Sequence, residues 1–291
     1  MTYDARYAAY KDMVEAALEN YLDACCAPEP LLGAMRYSLL AGGKRLRPIM
    51  LLAACEMDGG SVDRAVPFAC ALEMIHTYSL IHDDLPAMDD DDMRRGRPTN
   101  HKVFGEGMAI LAGDGLLSLA FEVALDAVHT PGEIQAMGYI ARAAGTQGMV
   151  GGQCVDITCE KERMGGADEL LYIHLHKTAD MFIGAMGAGL ALAGAAQERI
   201  DAGMAYGRGL GLAFQICDDL LDIEGDAAVL GKQTGMDATH GKLTWPGLFG
   251  PQDARHALAE QTEAALSALL PFGAAGNFLR EMATRLLGRD R

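Results

Sequence analysis

Two short stretches of similar sequence, Leu80-Ile81-His82-Asp83-Asp84-Leu85 and Gln215-Ile216-Cys217-Asp218-Asp219-Leu220, determine how the fold of this chain is interpreted. Each stretch places a pair of aspartates at the end of an apolar segment whose apolar residues follow helical spacing. The first continues into four further aspartates at positions 89–92, and the second adds Asp222. Desolvated carboxylates repel one another, so a positive group is expected to lie between them.

The spacing of the carboxylates indicates where a cation would bind. Asp218 and Asp222 are four residues apart and share one face of a helix. Asp83 and Asp89 are six residues apart and do not, but Pro86 interrupts the helix, so a local bulge is expected to bring Asp89 back beside Asp83. Oxygen ligands without His or Cys favour Mg²⁺, and the alternating acids and central glycine of a calcium-binding loop are missing. The alternative interpretation is a solvated acidic surface.

Basic residues accompany both acidic clusters, although 24 Lys and Arg against 40 Asp and Glu give the chain a net charge of −16. These basic residues are Lys44, Arg45, Arg47, Arg94, Arg95, Lys177, Lys232 and Lys242. Mg²⁺ held by few protein ligands usually completes its shell with substrate phosphate, which basic side chains would stabilise. No GxxxxGK[ST] sequence is present, so a P-loop does not explain them. Each basic group alone is also compatible with a solvated surface.

The composition predicts an all-α fold. The 291 residues are 50% hydrophobic and 6% aromatic, and no sustained apolar–polar alternation is present. Such a chain is not disordered, and its acidic charge argues against nucleic-acid binding. Glycine and proline marks, among them Gly151-Gly152, divide the chain into helix-length stretches. We predict a single domain over residues 1–291, a bundle of about ten or more helices, with an irregular segment at residues 225–252.

The cysteine and hydrophobicity patterns predict a cytoplasmic protein without a membrane span. The seven cysteines form no CxxC pair, and most lie in apolar runs, which is typical of buried thiols in a reducing compartment. Residues 1–10 contain charges and no apolar signal core. The longest uncharged apolar run, residues 181–196, is shorter than the roughly 20 residues that a membrane helix needs. Its Gly and Ala content favours a buried central helix.

The order of these motifs resembles the short-chain trans-polyprenyl diphosphate synthase family, most closely its bacterial farnesyl diphosphate synthase type. The markers, in chain order, are Gly42-Gly43-Lys44-Arg45-Leu46-Arg47-Pro48, Glu73-Met74-Ile75-His76, the residues from Asp83 to Gly96, Pro98-Thr99, Gly151-Gly152-Gln153 with Asp156, His176-Lys177-Thr178 and Phe214-Gln215. The resemblance implies an isoprenoid synthase fold around a central apolar cavity, a homodimer, and Mg²⁺ as the cofactor, with three ions when substrate is bound.

The resemblance also implies roles for individual residues. Mg²⁺ would be held by Asp83, Asp84, Asp89, Asp218, Asp219 and Asp222. An allylic diphosphate would also contact Arg94, Lys177, Thr178, Gln215, Lys232 and Lys242. The diphosphate of isopentenyl diphosphate would be bound by Lys44, Arg47, His76 and Arg95. Lys177, Asp83 and Asp218 are expected to act in catalysis. Gln153 and Asp156 are interpreted either as supports of the site or as an inter-helix hydrogen bond.

The implied reaction is the 1'-4 head-to-tail condensation of isopentenyl diphosphate with dimethylallyl or geranyl diphosphate. Tyr78 lies five residues before Asp83, about one and a half helical turns deeper, with Ser79 beside it. An aromatic ring there is expected to stop growth at fifteen carbons and give farnesyl diphosphate; geranylgeranyl diphosphate is the alternative product. A terpene cyclase is less favoured because the motifs indicate two diphosphate substrates. A non-catalytic subunit is less favoured because both aspartate sets are intact.

Overall fold

The helical spacing of the apolar residues produces helices along almost the whole chain. The structure is a computed structural model that describes residues 1–162, 164–224 and 241–288. Its α-helices are α1 (Tyr3–Ala24), α2 (Glu29–Leu39), α3 (Leu46–Met57), α4 (Val62–Asp83), α5 (Asn100–Phe104), α6 (Glu106–Asp126), α7 (Pro131–Ala144), α8 (Met149–Glu162), α9 (Ala167–Ile173), α10 (Asp180–Ala193), α11 (Gln197–Glu224), α12 (Trp245–Phe249), α13 (Pro251–Ala268) and α14 (Asn277–Leu287). The predicted all-α fold is confirmed.

Three short elements complete the described structure. A π-helix (His174–Ala179) joins α9 to α10, and a 3₁₀-helix (Leu270–Gly276) precedes α14. Strands β1 (Met93–Arg94) and β2 (Arg97–Pro98) pair antiparallel, so that Arg94 lies opposite Arg97. This two-stranded hairpin follows the first acidic cluster and fixes the direction in which the chain leaves it.

Helix α10 is the central helix of the bundle, because it contacts α3, α4, α7 and α11. It contains most of the apolar run at residues 181–196, and Phe182 and Leu190 on it are fully buried. Gly189 faces α3 so closely that a Cβ there would stand 2.3 Å from the carbonyl oxygen of Leu51. Glycine therefore lets α10 and α3 approach backbone to backbone, and the prediction of a buried central helix is confirmed.

The helix break predicted at Gly151-Gly152 is wrong, because both residues lie inside α8. A Cβ at Gly152 would stand 2.1 Å from the backbone nitrogen of Lys177 in the π-helix. Gly152 therefore permits close contact between α8 and the π-helix. A glycine pair is compatible both with a helix end and with close helix packing, and here it serves the packing.

The segment predicted to be irregular, residues 225–252, lies partly outside the described ranges, which omit 225–240. The prediction is wrong for residues 245–249, which form α12, and for residues 251–252, where α13 begins; residues 241–244 are irregular. The Thr244 hydroxyl accepts a hydrogen bond from the backbone N–H of Gly247 and caps α12, with Pro246 in its first turn. Proline is compatible with a first turn because its missing N–H is not needed there.

One described helix, α6, is long and apolar enough to cross a membrane by length and composition, and 39% of its most apolar window is buried. This property alone is weak support for a membrane span, since core helices can meet the same criterion. The exposed part of α6 includes Ile110, Leu111 and Leu125, which are 45%, 53% and 58% exposed. The outer face of α6 therefore exposes apolar side chains, together with the acids Asp114 and Glu122.

Candidate active site

The first acidic cluster begins where α4 ends at Asp83. Pro86 follows within the next turn, and there the chain folds back on itself. The backbone N–H of Asp89 donates to the carbonyl oxygen of Asp83 at 2.8 Å, and that of Asp90 donates to the carbonyl oxygen of Leu85 at 3.1 Å. These hydrogen bonds bring Asp89 back beside Asp83, so the predicted local bulge is confirmed.

The Asp83 carboxylate is enclosed by groups from other segments. Its Oδ1 accepts a hydrogen bond from Gln153 Nε2 of α8 at 3.0 Å. Burial raises the pKa of Asp83 to about 6; nearby Lys177 opposes this shift, and Asp89 adds to it. Asp89 in turn lies 3.3 Å from Lys242 Nζ. Two carboxylates thus converge in a desolvated place, and lysines from distant segments partly compensate their charge.

Asp84, the second aspartate of the cluster, pairs with the arginine of strand β1. Arg94 Nε donates to both carboxylate oxygens of Asp84, at 2.7 and 3.0 Å, and Arg94 Nη2 lies 2.7 Å from Oδ1. Burial raises the pKa of Asp84, and the hydrogen bond with Arg94 limits that rise. The structure therefore pairs an acid predicted to bind metal with a base predicted to bind diphosphate.

Lys177 and Thr178 both lie on the π-helix. Such turns are rare and are frequently located at functional sites. Lys177 Nζ lies 2.5 Å from Asp156 Oδ2 of α8, and Thr178 Oγ1 donates to Gln215 Oε1 of α11 at 2.9 Å. Burial lowers the pKa of Lys177, but the neighbouring carboxylates, Asp156 above all, outweigh this effect and raise it. The π-helix therefore connects α8 with the helix that bears the second acidic set.

The second acidic set lies on α11 and consists of Asp218, Asp219 and Asp222. Asp219 is buried and is contacted from three directions. Its Oδ1 accepts from Gln215 Nε2 at 3.0 Å, its Oδ2 accepts from the backbone N–H of Trp245 at 2.9 Å, and His174 Nε2 lies 3.3 Å from Oδ2. The His174 and Trp245 contacts were not predicted, because no local spacing pattern relates these residues to Asp219.

The segment from Lys242 to Trp245 connects the two acidic sets. Lys242 contacts Asp89 of the first set, and the backbone of Trp245 contacts Asp219 of the second. Three residues of extended chain span roughly 10 Å, so one short segment contacts both sets. Asp83 and Asp218 are 135 residues apart in the sequence, and this segment links their two sets in the structure.

Arg47 and His76 form a further basic pair. Arg47 Nη1 lies 3.1 Å from His76 Nε2, and because a guanidinium only donates, His76 accepts and is neutral. Burial, reinforced by the charge of Arg47, holds the pKa of His76 well below its usual range. Burial also lowers the pKa of Arg47 to about 10. Its Nε is buried and has no hydrogen-bond partner among the described residues, so a donor is available for an anion.

The glycine pair Gly42-Gly43 lies against Arg95. Arg95 Nη1 donates to the carbonyl oxygen of Gly42, and a Cβ at Gly43 would stand 2.9 Å from Arg95 Cζ. Gly43 has a φ of 133°, a conformation that favours glycine. The predicted association of Arg95 with the Gly42–Pro48 segment is therefore found.

The other two basic residues of this segment have different surroundings. Arg45 is buried and pairs with the buried Glu73, with Nη1 2.7 Å from Oε1. Lys44 is exposed and lines a surface groove with Tyr7 of α1 and Arg285 of α14. The structure thus separates Lys44 from Arg47 and His76, although the sequence groups them in one predicted binding set.

A cavity of about 560 Å³ lies between α4 and α8. Its lining includes Tyr78 and Ser79 of α4 together with Val150, Cys154 and Ile157 of α8. Polar residues described above complete the lining, namely Arg47, His76, Asp83, Gln153, Lys177 and Thr178. The volume is that of a small-molecule site. The cavity therefore combines charged groups suited to a diphosphate with walls suited to an apolar chain.

Some groups do not belong to this cavity. A ring nitrogen of His101 and carboxylate oxygens of Asp90 and Asp92 lie within 4.8 Å of one another, next to the first acidic set. Lys102 Nζ lies 2.6 Å from Asp92 there, so a cation already contacts this group. Lys232 lies outside the described residues.

The donor set of the site fits Mg²⁺. Its potential ligands are carboxylate oxygens, which this ion prefers. Burial raises the pKa values of Asp83 and Asp84, so their negative charge is not fully compensated by the protein. A divalent ion would supply the missing positive charge.

Comparison with known proteins assigns the class. The chain is 48% identical over 259 residues to a farnesyl diphosphate synthase of Geobacillus stearothermophilus. This match covers 88% of this chain and 87% of that protein. The chain is also 48% identical over 246 residues to the large subunit 1 of a heterodimeric geranylgeranyl pyrophosphate synthase of Arabidopsis thaliana. That match covers 82% of this chain and 66% of that protein. A crystal structure of a geranyltransferase from Legionella pneumophila matches with a TM-score of 0.88 and 33% identity, covering 99% of this chain and 98% of that one.

These matches and the all-α site identify the chain as a prenyltransferase with an isoprenoid synthase fold. Residues 28–269 match the family model described as Polyprenyl synthetase, and the chain belongs to this family. The resemblance found in the sequence is confirmed.

Replacing Asp83 with Asn is expected to stabilise the protein when metal and diphosphate are absent. Because the pKa of Asp83 is raised from 3.8 to about 6, the folded state binds more protons than the unfolded state between these values. Ionised Asp83 therefore destabilises the fold at higher pH. At pH 8 in EDTA, the melting temperature should rise by about 2–4 °C per kcal/mol of unfavourable burial and repulsion removed, and most of this gain should vanish at pH 4.

Asp90→Asn is the control, because Asp90 is exposed in the same turn. Thermal unfolding followed by circular dichroism gives the result. A melting temperature of Asp83→Asn at or below that of the wild type at pH 8 contradicts the assignment of a repulsive carboxylate.

Proposed function

We propose that this chain is a Mg²⁺-dependent trans-prenyltransferase that condenses isopentenyl diphosphate with dimethylallyl or geranyl diphosphate, 1'-4 and head to tail. The observation that carries the proposal is a cavity whose lining combines apolar side chains with Asp83 of the first acidic set, Arg47 and Lys177. Thr178, which also lines it, is hydrogen-bonded to Gln215 on the helix that bears the second acidic set. A cation site, a diphosphate site and a dry chain-binding space are the three elements that such a reaction needs.

The allylic diphosphate would bind between the two acidic sets. Mg²⁺ would be held by the aspartates of both sets, and when bound it stabilises the charge of the leaving diphosphate. Arg94, Lys177 and Lys242 each contact a carboxylate in this structure. They would donate to the phosphate oxygens, while Thr178 and Gln215, hydrogen-bonded to each other, would complete this side of the site.

Isopentenyl diphosphate would bind on the side of Arg47. The buried, unpaired Nε of Arg47 supports this assignment, as does the neutral His76 that orients its guanidinium. Arg95 and Lys44 extend the positive charge toward the surface. Phe182, whose ring centroid lies 4.8 Å from Arg47 Cζ, holds the guanidinium by a cation–π contact.

The reaction would proceed by ionisation and alkene addition. The C1–O bond of the allylic substrate breaks, and its electron pair leaves with diphosphate. The double bond of isopentenyl diphosphate attacks C1, and a proton from its C2 passes to the released diphosphate, so no side-chain base is required. Water would trap the allylic cation, so the apolar walls contributed by α4 and α8 protect it.

We propose farnesyl diphosphate as the main product. Tyr78 is 7% exposed and lines the cavity five residues before Asp83, where its ring would limit the space for a growing chain. Geranylgeranyl diphosphate is the second candidate, because relatives named geranylgeranyl pyrophosphate synthases match at similar identity. Ser79, which also lines the cavity, is too small to add to this limit.

The test of the proposed reaction is incubation with radiolabelled isopentenyl diphosphate and each allylic primer, with Mg²⁺ or with EDTA. Condensation should require both substrates and Mg²⁺. Asp218→Ala should lower kcat/KM by about 10²–10³-fold, because an anchor of the leaving-group charge is lost. Asp201→Ala, an exposed acid on the same helix, is the matched control. Conversion of the primer without isopentenyl diphosphate, or no turnover of the pair, contradicts the proposal.

Replacing Tyr78 with Ala should lengthen the product to twenty carbons or more, because the ring no longer limits the cavity. Tyr78→Phe, which keeps the ring, should retain the wild-type product length. Chromatography of the dephosphorylated products measures the chain length. The same product length in the wild type and in Tyr78→Ala would rule out Tyr78 as the limit.

We also propose that the protein is a cytoplasmic homodimer formed through the outer face of α6. Ile110, Leu111 and Leu125 expose apolar side chains there, and Ile134 of α7 is 63% exposed. Apolar surface of this kind marks an interaction site. The seven cysteines of the structure are free thiols, which agrees with a reducing compartment.

Leu111→Glu combined with Leu125→Glu should convert the dimer to a monomer, because two charges would be buried without partners. Sedimentation velocity measures the change. Leu270→Glu on the 3₁₀-helix is the control, since Leu270 is 72% exposed but distant from α6 in the chain. A wild-type monomer, or a double variant that stays dimeric, would refute this interface.

A further inference from the structure

His82 contacts the side chain that is proposed to limit product length. It lies one helical turn after Tyr78 on α4, and both line the cavity. The two rings meet edge to face, with centroids 5.7 Å apart and planes at 82°. His82 Nε2 lies 3.1 Å from the carbonyl oxygen of Ile110 on α6. A carbonyl only accepts, so Nε2 carries the proton in this contact.

A second residue of α6 also packs against the His82 ring. A Cβ at Gly113 would stand 2.1 Å from His82 Nε2 and 2.5 Å from Cδ2. Gly113 is buried inside α6 with ordinary helical geometry, so the space beside it, not its backbone conformation, requires glycine. The imidazole therefore occupies a notch in α6 that any side chain at position 113 would fill.

We infer that His82 is a positioning residue for product length: clamped between the Gly113 notch and the Ile110 carbonyl of α6, it fixes the Tyr78 ring at the wall of the cavity. This inference rests on the proposed function. Tyr78 alone has rotational freedom about its side-chain bonds, and an edge-to-face partner removes part of that freedom. The limit on chain growth is thus set by a pair of rings held by a second helix.

Substitutions of His82 and of Gly113 should change the product chain length in opposite directions. His82→Ala frees the Tyr78 ring, so the product distribution shifts toward longer chains. Gly113→Ala pushes the imidazole out of its notch toward the cavity, so the distribution shifts toward the ten-carbon product. The distribution is measured by chromatography at equal total conversion, which separates it from a general loss of activity.

Matched variants separate positioning from a structural role. Gly107→Ala, on the same helix with nothing within 4 Å of its Cβ, should leave the distribution as in the wild type. His82→Gln, which keeps an N–H donor for the Ile110 carbonyl, should shift the distribution less than His82→Ala. The double variant His82→Ala with Gly113→Ala should give the distribution of His82→Ala alone, because the clash needs both partners.

The outcomes distinguish this inference from the proposed function. An unchanged distribution in His82→Ala, with longer products in Tyr78→Ala, overturns the clamp and leaves the prenyl transfer intact. An equal shift by Gly113→Ala with and without His82 also overturns it. Thermal unfolding tests the clamp independently of catalysis: Gly113→Ala should lower the melting temperature of the wild type and not that of His82→Ala. Equal losses in both backgrounds overturn the clamp even if the chain catalyses no condensation.

Discussion

The structure depends on the gathering of carboxylates in a place from which water is largely removed. Burial raises the pKa of Asp83, and Asp89 beside it raises it further. The bundle compensates with basic side chains from separate segments: Arg94 from β1, Lys177 from the π-helix and Lys242 from the stretch before α12. Through these contacts, remote parts of the chain meet at the acidic residues. The negative charge left uncompensated in this buried place would favour the binding of a divalent cation.

The pairing of acids and bases couples the binding of metal to the binding of diphosphate in the proposed reaction. Arg94 and Lys242, which would contact diphosphate, are bound to Asp84 and Asp89, which would contact metal. A metal ion held by these carboxylates would free the bases for diphosphate, and a diphosphate held by the bases would free the carboxylates for metal. Each ligand thus favours the other, and the site exchanges partners without exposing an unpaired charge.

The sequence predicts those parts of the site that local chemistry determines. Pro86 lies three residues after the end of α4 and prevents the helix from continuing, so the return of Asp89 follows from the sequence. Gly152 was misinterpreted because glycine permits both a helix end and a close backbone contact, and only the position of the π-helix decides between them. The contact of His174 with Asp219 depends on how α11 packs against the π-helix. The sequence near either residue does not indicate this packing. Tertiary contacts between distant segments are therefore what the sequence left open.

Helix α6 connects two properties that the sequence treats separately. Its outer face carries the side chain of Ile110, which is 45% exposed, while the carbonyl oxygen of the same residue receives His82 beside the cavity. Three residues further on, Gly113 provides the notch for the imidazole. A partner subunit on the outer face would restrict motion of α6 and so hold the inner clamp in place. Association of two copies and control of chain length would then depend on the rigidity of one helix, and a monomeric variant would be expected to lose product specificity as well as its partner.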